Sequence, residues 1–204
     1  MRGGVLLSWS NFVALGDSLT AGKGDAGPGG HPVGWAQRLA DVLSVRTAVR
    51  CTLTNMAEDR ATVSSVLKEQ LPKVAAAKPD LVSVTVGMND IRARGFDEMA
   101  FKSELGQLLE GLAGTKARVL TCTLPNIAAI MPLPPELTEI ARERMRLASD
   151  IIREQAESYE AVCLDAWSLP GISDPELYSA DRMHPNGKGH QLIAAAFADK
   201  LAPR

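Results

Sequence analysis

The chain has 204 residues, 46% of them apolar and 23% charged, with a formal net charge of −2. Chains of roughly 100–200 residues are served by a single core, and this balance of apolar and charged residues excludes wholesale disorder. It also excludes the concentrated basic surface that nucleic-acid binding requires.

Met1–Ser10 carries one basic residue and one apolar stretch of three, too short for a secretory signal. It reads as an N-terminal extension, residues 1–10, ahead of one domain over 11–204. No run approaches the ~18 apolar residues of a membrane span. The expectation is therefore a cytoplasmic protein without integral membrane association. Nothing in the pattern bears on oligomeric state.

Phe12–Leu15 is the first candidate strand, and it runs into Gly16-Asp17-Ser18-Leu19-Thr20. A serine just beyond an apolar strand, beside a glycine that permits a tight turn, is exposed where catalysis in parallel sheets occurs. Alone, an Asp-Ser pair reads better as a helix N-cap. Gly22–Gly30 is a flexible loop rather than a phosphate cradle. Five residues separate Gly16 from Gly22, where the Walker pattern needs four, and Lys23 is followed by Gly24.

Trp35, Leu39 and Leu43 then fall at helical spacing, followed by a strand at Thr52–Asn55 and a helical set Val63, Val66, Leu67 and Leu71. Strand Leu81–Val86 leads into Gly87-Met88-Asn89-Asp90, which brings an amide side chain to the same sheet edge. Asn89 alone is a turn residue. Arg92 and Arg94 read first as a solvated face and second as anion contacts.

Leu105, Leu108, Leu109 and Leu112 mark the next helix, and Ala117–Thr123 the fourth strand. The loop Leu124–Pro134 carries Ile127, Ile130, Met131 and Leu133, either packed on the core or forming an apolar wall for an acyl chain. A long helix opens at Pro135, with Leu137, Ile140, Ala141, Met145, Ala148, Ile151 and Ile152 on one face. Ala161–Asp165 is the fifth strand. A second long loop, Ala166 to about Met183, holds Trp167, Leu169, Ile172 and Tyr178 and invites the same two readings.

Asp181-Arg182-Met183-His184 follows, short enough for one turn to hold the carboxylate against the imidazole. The last helix begins after Asn186 and buries Leu192, Ile193, Ala196, Phe197 and Leu201. Strand–helix alternation of this kind implies a parallel sheet between helices, with ligands at the carboxyl ends of the strands.

Cys51, Cys122 and Cys163 are odd in number, without a Cys-x-x-Cys pair, so a disulfide framework or structural zinc is not expected. His184 and His190 lie six apart across Asn-Gly-Lys-Gly, which is not a helical ligand pair. His190 is expected at the start of the last helix and His31 in the glycine-rich loop, each solvated or locally bonded. No metal and no cofactor is expected.

Gly-Asp-Ser-Leu at 16–19, Gly-x-Asn-Asp at 87–90 and Asp-x-x-His at 181–184 together resemble the SGNH hydrolases, the GDSL esterase/lipase family. The resemblance implies a three-layer α/β/α sandwich, flavodoxin-like, with a five-stranded parallel sheet in the order 2-1-3-4-5. It also implies a serine hydrolase acting on a small-molecule carboxylic ester or thioester. Ser18 would be the nucleophile, His184 its general base and Asp181 the group that orients His184. The oxyanion would be met by the N–H of Ser18, the N–H of residue 60 and the Asn89 amide.

The chain departs from the family in its second block, where Asn55-Met56-Ala57-Glu58-Asp59-Arg60 puts Arg60 at the usual glycine position. An arginine keeps the backbone N–H but is strained wherever φ is positive. Asp17 and Asp90 are expected to brace their turns through backbone N–H groups. The competing reading is a catalytically silent or ligand-binding domain on the same scaffold, which the Arg60 departure favours and the intact Ser18, Asn89, Asp181 and His184 set opposes.

Overall fold

The structure, a computed structural model, describes residues 8–202. Strands β1 (Asn11–Gly16), β2 (Thr52–Asn55), β3 (Leu81–Thr85), β4 (Arg118–Cys122) and β5 (Val162–Leu164) form one parallel sheet in the order β2-β1-β3-β4-β5. All five lie where the apolar runs predict them, with ends moved by at most one residue. β3 is buried at every position, as a central parallel strand covered on both faces must be. β2 closes one edge and leaves Thr52, Thr54 and Asn55 exposed.

Successive side chains of a strand point to opposite faces, and the two cores divide accordingly. Phe12 and Ala14 of β1 pack with α1 (Gly34–Thr47) and α7 (Gly187–Lys200), where Trp35 stacks on Phe197 with ring centroids 4.8 Å apart. Val13 and Leu15 pack on the other face with Val66 and Val74, and with Leu105, Leu108 and Leu109 of α5 (Glu98–Ala113). That face is completed by α2 (Val63–Ser65), α3 (Leu71–Ala77) and α6 (Pro135–Ser158). The chain leaves β1 for β2 on one side and returns to β3 on the other. The carboxyl ends of β1 and β3 therefore flank a crevice at the topological switch.

Three features differ from the sequence expectation. Leu137 and Ile140 share the apolar face of α6 yet are each 47% exposed. A helix of 24 residues spans about 36 Å, whereas a five-residue strand spans about 17 Å, so the first turns of α6 overhang the sheet. A short helix α4 (Met88–Arg92) starts directly behind Gly87, and a π-helical turn, Val66–Gln70, separates α2 from α3. Residues 1–7 of the expected extension lie outside the described residues. Trp9 packs beside α1 and α7, and Ser10 donates from both its N–H and its hydroxyl to Asp80, each at 2.7 Å. Among the described residues, no helix is long and apolar enough to cross a membrane.

The overhang of α6 sets a contrast between two isoleucines of one helix. Ile152→Ala, at a position 1% exposed, should cost about 2–5 kcal/mol, while Ile140→Ala should stay within about 0.5 kcal/mol of wild type in urea denaturation. Equal losses at the two positions would contradict this packing.

Candidate active site

The turn after β1 is built by Gly16, whose φ of +134° and position against β3 exclude a side chain. A Cβ there would stand 2.1 Å from the Thr85 carbonyl oxygen. Asp17 N–H then donates to that same oxygen at 3.3 Å, and Asp17 Oδ1 accepts from Leu19 N–H at 2.9 Å. Thr20 and Thr85 join their hydroxyls beneath the turn. These contacts set Ser18 at the cavity wall. Ser18 is only 8% exposed, less than the sequence suggests, with His184 hydrogen-bonded against it. Its backbone N–H has no partner among the described residues.

His184 is positioned by the turn that precedes α7. Asp181 Oδ1 accepts from the N–H groups of Met183 and His184, each at 3.0 Å, and from Ser179 Oγ at 2.9 Å. Asp181 Oδ2 lies 2.6 Å from His184 Nδ1. A carboxylate only accepts, so the ring proton is assigned to Nδ1 and Nε2 keeps its lone pair. Nε2 sits 2.9 Å from Ser18 Oγ, which therefore donates to it. Partial burial pushes the Asp181 carboxyl up, but hydrogen bonds from the His184 ring and N–H, Met183 and Ser179 outweigh it and hold the group far below the usual carboxylate range.

Asn89, in the first turn of α4, donates from Nδ2 to the Ala61 carbonyl at 2.9 Å, leaving a second amide hydrogen. Next to it, Asp90 accepts Val63 N–H on both oxygens, at 3.1 and 3.3 Å. The segment 60–63 is thereby fastened to the end of β3. Arg60 adopts φ +65°, the left-handed conformation for which the family's usual glycine is suited. Arg60 also lines the cavity, beside Asp59.

Ser18, Arg60, Asn89, Asp181 and His184 line one cavity of about 640 Å³ at the carboxyl edge of the sheet. Its apolar side is formed by Val86, Leu124, Pro125, Ile172, Tyr178 and Ile193. Of the loop residues expected as an acyl wall, Ile172 and Tyr178 reach it. Ile127, Ile130, Met131, Trp167 and Leu169 pack on the core instead. Arg92 lines the cavity and Arg94 does not, while Lys23 pairs with Asp59 across the rim at 2.9 Å. Cys122 also lines it, but burial pushes its thiol far up and leaves it protonated. No group of three or more His, Cys, Asp or Glu among the described residues is arranged to hold a metal ion.

His190 departs from the solvated or local role expected of it. It is fully buried, accepts Trp35 N–H on Nδ1 at 3.1 Å and contacts the Lys23 carbonyl through Nε2 at 3.1 Å. The bond from Trp35 makes Nδ1 an acceptor, so Nε2 carries the proton and the ring is neutral. It ties the loop after Ser18 to α1 and α7. Gly24 completes that joint, since a Cβ there would lie 2.2 Å from the Pro185 carbonyl oxygen.

A parallel sheet with a serine, a histidine and a carboxylate in hydrogen-bonded series at its carboxyl edge is the arrangement of a serine hydrolase. The chain belongs to the GDSL-like lipase/acylhydrolase family, whose model matches residues 14–192. It is similar to an acetylxylan esterase of Geobacillus stearothermophilus, with 26% identity over 95% of this chain and 94% of that protein. A GDSL lipase of Mycobacterium tuberculosis, Rv0518, is 28% identical over 94% of this chain and 79% of its own. Among solved structures, LAE5, an alpha/beta hydrolase enzyme from the metagenome of Lake Arreo, Spain, superposes with TM-score 0.78 at 25% identity, covering 97% of this chain and 98% of LAE5. The acetylxylan esterase Axe2 of G. stearothermophilus superposes with TM-score 0.77 at 20% identity, over 98% and 97% of the two chains. The protein is an ester-hydrolysing serine hydrolase of this family.

Asp17, 4% exposed beneath the Ser18 turn, has its carboxyl raised to about 7, chiefly by burial. A group whose folded pKa is raised contributes stability below the ordinary aspartate value of about 3.9 and loses it as pH climbs towards the folded value. Asp17→Asn keeps the acceptor for Leu19 N–H and removes the charge. Its stability relative to wild type should therefore improve steadily from about pH 4 to about pH 8 in urea titrations. A difference that does not change with pH would show that the buried carboxyl is not protonated.

Proposed function

We propose that Ser18, His184 and Asp181 act as a catalytic triad on a small-molecule carboxylic ester. The Ser18 N–H, the Arg60 N–H and the Asn89 amide form its oxyanion hole. The observation that carries this reading is the continuous series from Asp181 through His184 to Ser18, at 2.6 and 2.9 Å. The Ser18–His184 link has the length that proton transfer requires, and the Asp181–His184 link that of a charge-assisted hydrogen bond that orients the ring.

In the first half-reaction Ser18 Oγ attacks the ester carbonyl carbon and its proton passes to His184 Nε2. The carbonyl electrons move onto oxygen, which the three donors stabilise. Collapse of the tetrahedral intermediate breaks the bond to the alcohol oxygen, which leaves with the proton from His184. Water then attacks the acyl-Ser18 ester, giving its proton to His184. Collapse of this second tetrahedral intermediate breaks the bond to Ser18 Oγ, which takes the proton back from His184 as the acid leaves. Asp181 fixes the Nδ1–H tautomer throughout and stabilises the imidazolium.

Arg60 lines the cavity and any non-proline residue retains its backbone N–H, which supports catalysis rather than silence. The likeness to an acetylxylan esterase and the apolar cavity side support esters with a short acyl group as the first substrates to assay. We read residues 11–204 as one hydrolase domain behind an extension of 1–10. The three unpaired cysteines support a cytoplasmic setting.

With p-nitrophenyl acetate as substrate, Ser18→Ala should abolish enzymatic turnover while far-UV circular dichroism is unchanged. Asn89→Ala should lower kcat by about 10²–10³-fold. Arg60→Gly, which keeps both the N–H and the left-handed conformation, should retain turnover. Full activity in Ser18→Ala would overturn the mechanism.

A further inference from the structure

We infer that Gln70 is a positioning residue for the nucleophile, holding the Gly16 peptide groups that set the direction of the Ser18 turn. This rests on the reading of Ser18 as nucleophile. Gln70 lies 54 positions from Gly16 and is 1% exposed. Its Oε1 accepts Gly16 N–H at 2.9 Å and its Nε2 donates to the Gly16 carbonyl at 3.0 Å. One side chain thus satisfies both backbone groups of the last residue of β1.

The need for such a clamp follows from the sheet. β1 pairs with β2 only as far as Ala14 against Asn55. Beyond that point β2 turns away, and Met56 and Glu58 donate back to the Ala14 and Gly16 carbonyls at 2.8 and 3.1 Å. On this side no backbone acceptor reaches the Gly16 N–H among the described residues. A buried amide N–H left without a partner is strongly disfavoured. The Gln70 carboxamide stands in for the missing strand.

Gln70 reaches this position because it ends the π-helical turn Val66–Gln70. Pro72 follows two residues later, and a proline ring clashes with the carbonyl four residues before it unless the helix widens there. The Gly16 carbonyl, shared by Gln70 Nε2 and Glu58 N–H, links the two halves of the proposed oxyanion hole. Ser18 is two residues ahead of it, and Arg60 is two residues beyond Glu58. Loosening this node would displace both donors while leaving the rest of the cavity wall in place.

The test compares Gln70→Met and Gln70→Glu with wild type and Ser18→Ala on p-nitrophenyl acetate. Gln70→Met keeps the side-chain length and loses both hydrogen bonds. It should lower kcat about 10–100-fold with KM within about threefold, in line with the rate cost of an ångström-scale misplacement. Gln70→Glu reproduces the donor–acceptor pair only when protonated. Its activity relative to wild type at the same pH should therefore rise as pH is lowered towards the carboxyl range, at temperatures where both proteins are fully folded. A merely structural role would change melting temperature without moving that ratio. If Gln70→Met does not fold, the pH dependence of the Gln70→Glu ratio decides the matter alone. A kcat within twofold of wild type in Gln70→Met, or a flat Gln70→Glu ratio, overturns the role of Gln70 while an inert Ser18→Ala keeps the triad. An active Ser18→Ala overturns both.

Discussion

A 2.9 Å hydrogen bond joins Ser18 to His184 across 166 positions of sequence, and the rest of the architecture is arranged around keeping it. Ser18 belongs to the first strand's exit and His184 to the turn before the last helix. Bringing them together requires the sheet to place β1 in its interior and α7 to return against α1. Trp35 on Phe197 supplies the apolar contact between those helices, and His190 adds a polar joint by bonding α1 to the loop beyond Ser18. Gly24 allows that loop to touch Pro185, the residue after the histidine.

Electrostatics divide the site into two carboxyl types. Asp181 is half-exposed and surrounded by donors, so its negative charge is favoured where the imidazole needs a fixed acceptor. Asp17 and Asp90 are more deeply buried, and burial raises them to about 7 and about 6. Both instead serve as acceptors for backbone N–H groups, bracing the serine turn and the Asn89 segment as their positions in the motifs imply. The same residue type therefore holds its charge or gives it up according to how much water and how many donors surround it.

The parts of the molecule that were legible in the sequence are those encoded locally. Buried parallel strands appear as short apolar runs, as Leu81–Val86 does, and Asp181 and His184 fall within a single turn. Arg60 could be placed at a glycine position, but that placement left its backbone conformation open, and the structure gives it as left-handed. What stayed hidden depends on distant packing. The π-helical turn that delivers Gln70 to Gly16 has no local signal beyond Pro72, and Gln70 resembles any polar helical residue. His190 reads as a helix-start residue because its partners, Trp35 and Lys23, lie over 150 positions away. Leu137 and Ile140 fit the apolar face of α6, and only the length of the strands beneath decides that they overhang.

The central claim is that His184 makes Ser18 a nucleophile within this cavity. Covalent labelling with a fluorophosphonate, followed by peptide mass spectrometry, tests it without reference to any particular substrate. The account predicts a single phosphonylated residue, Ser18, formed rapidly in wild type and at least about 100-fold more slowly in His184→Ala. Labelling at another residue, or an equal rate without His184, would contradict it.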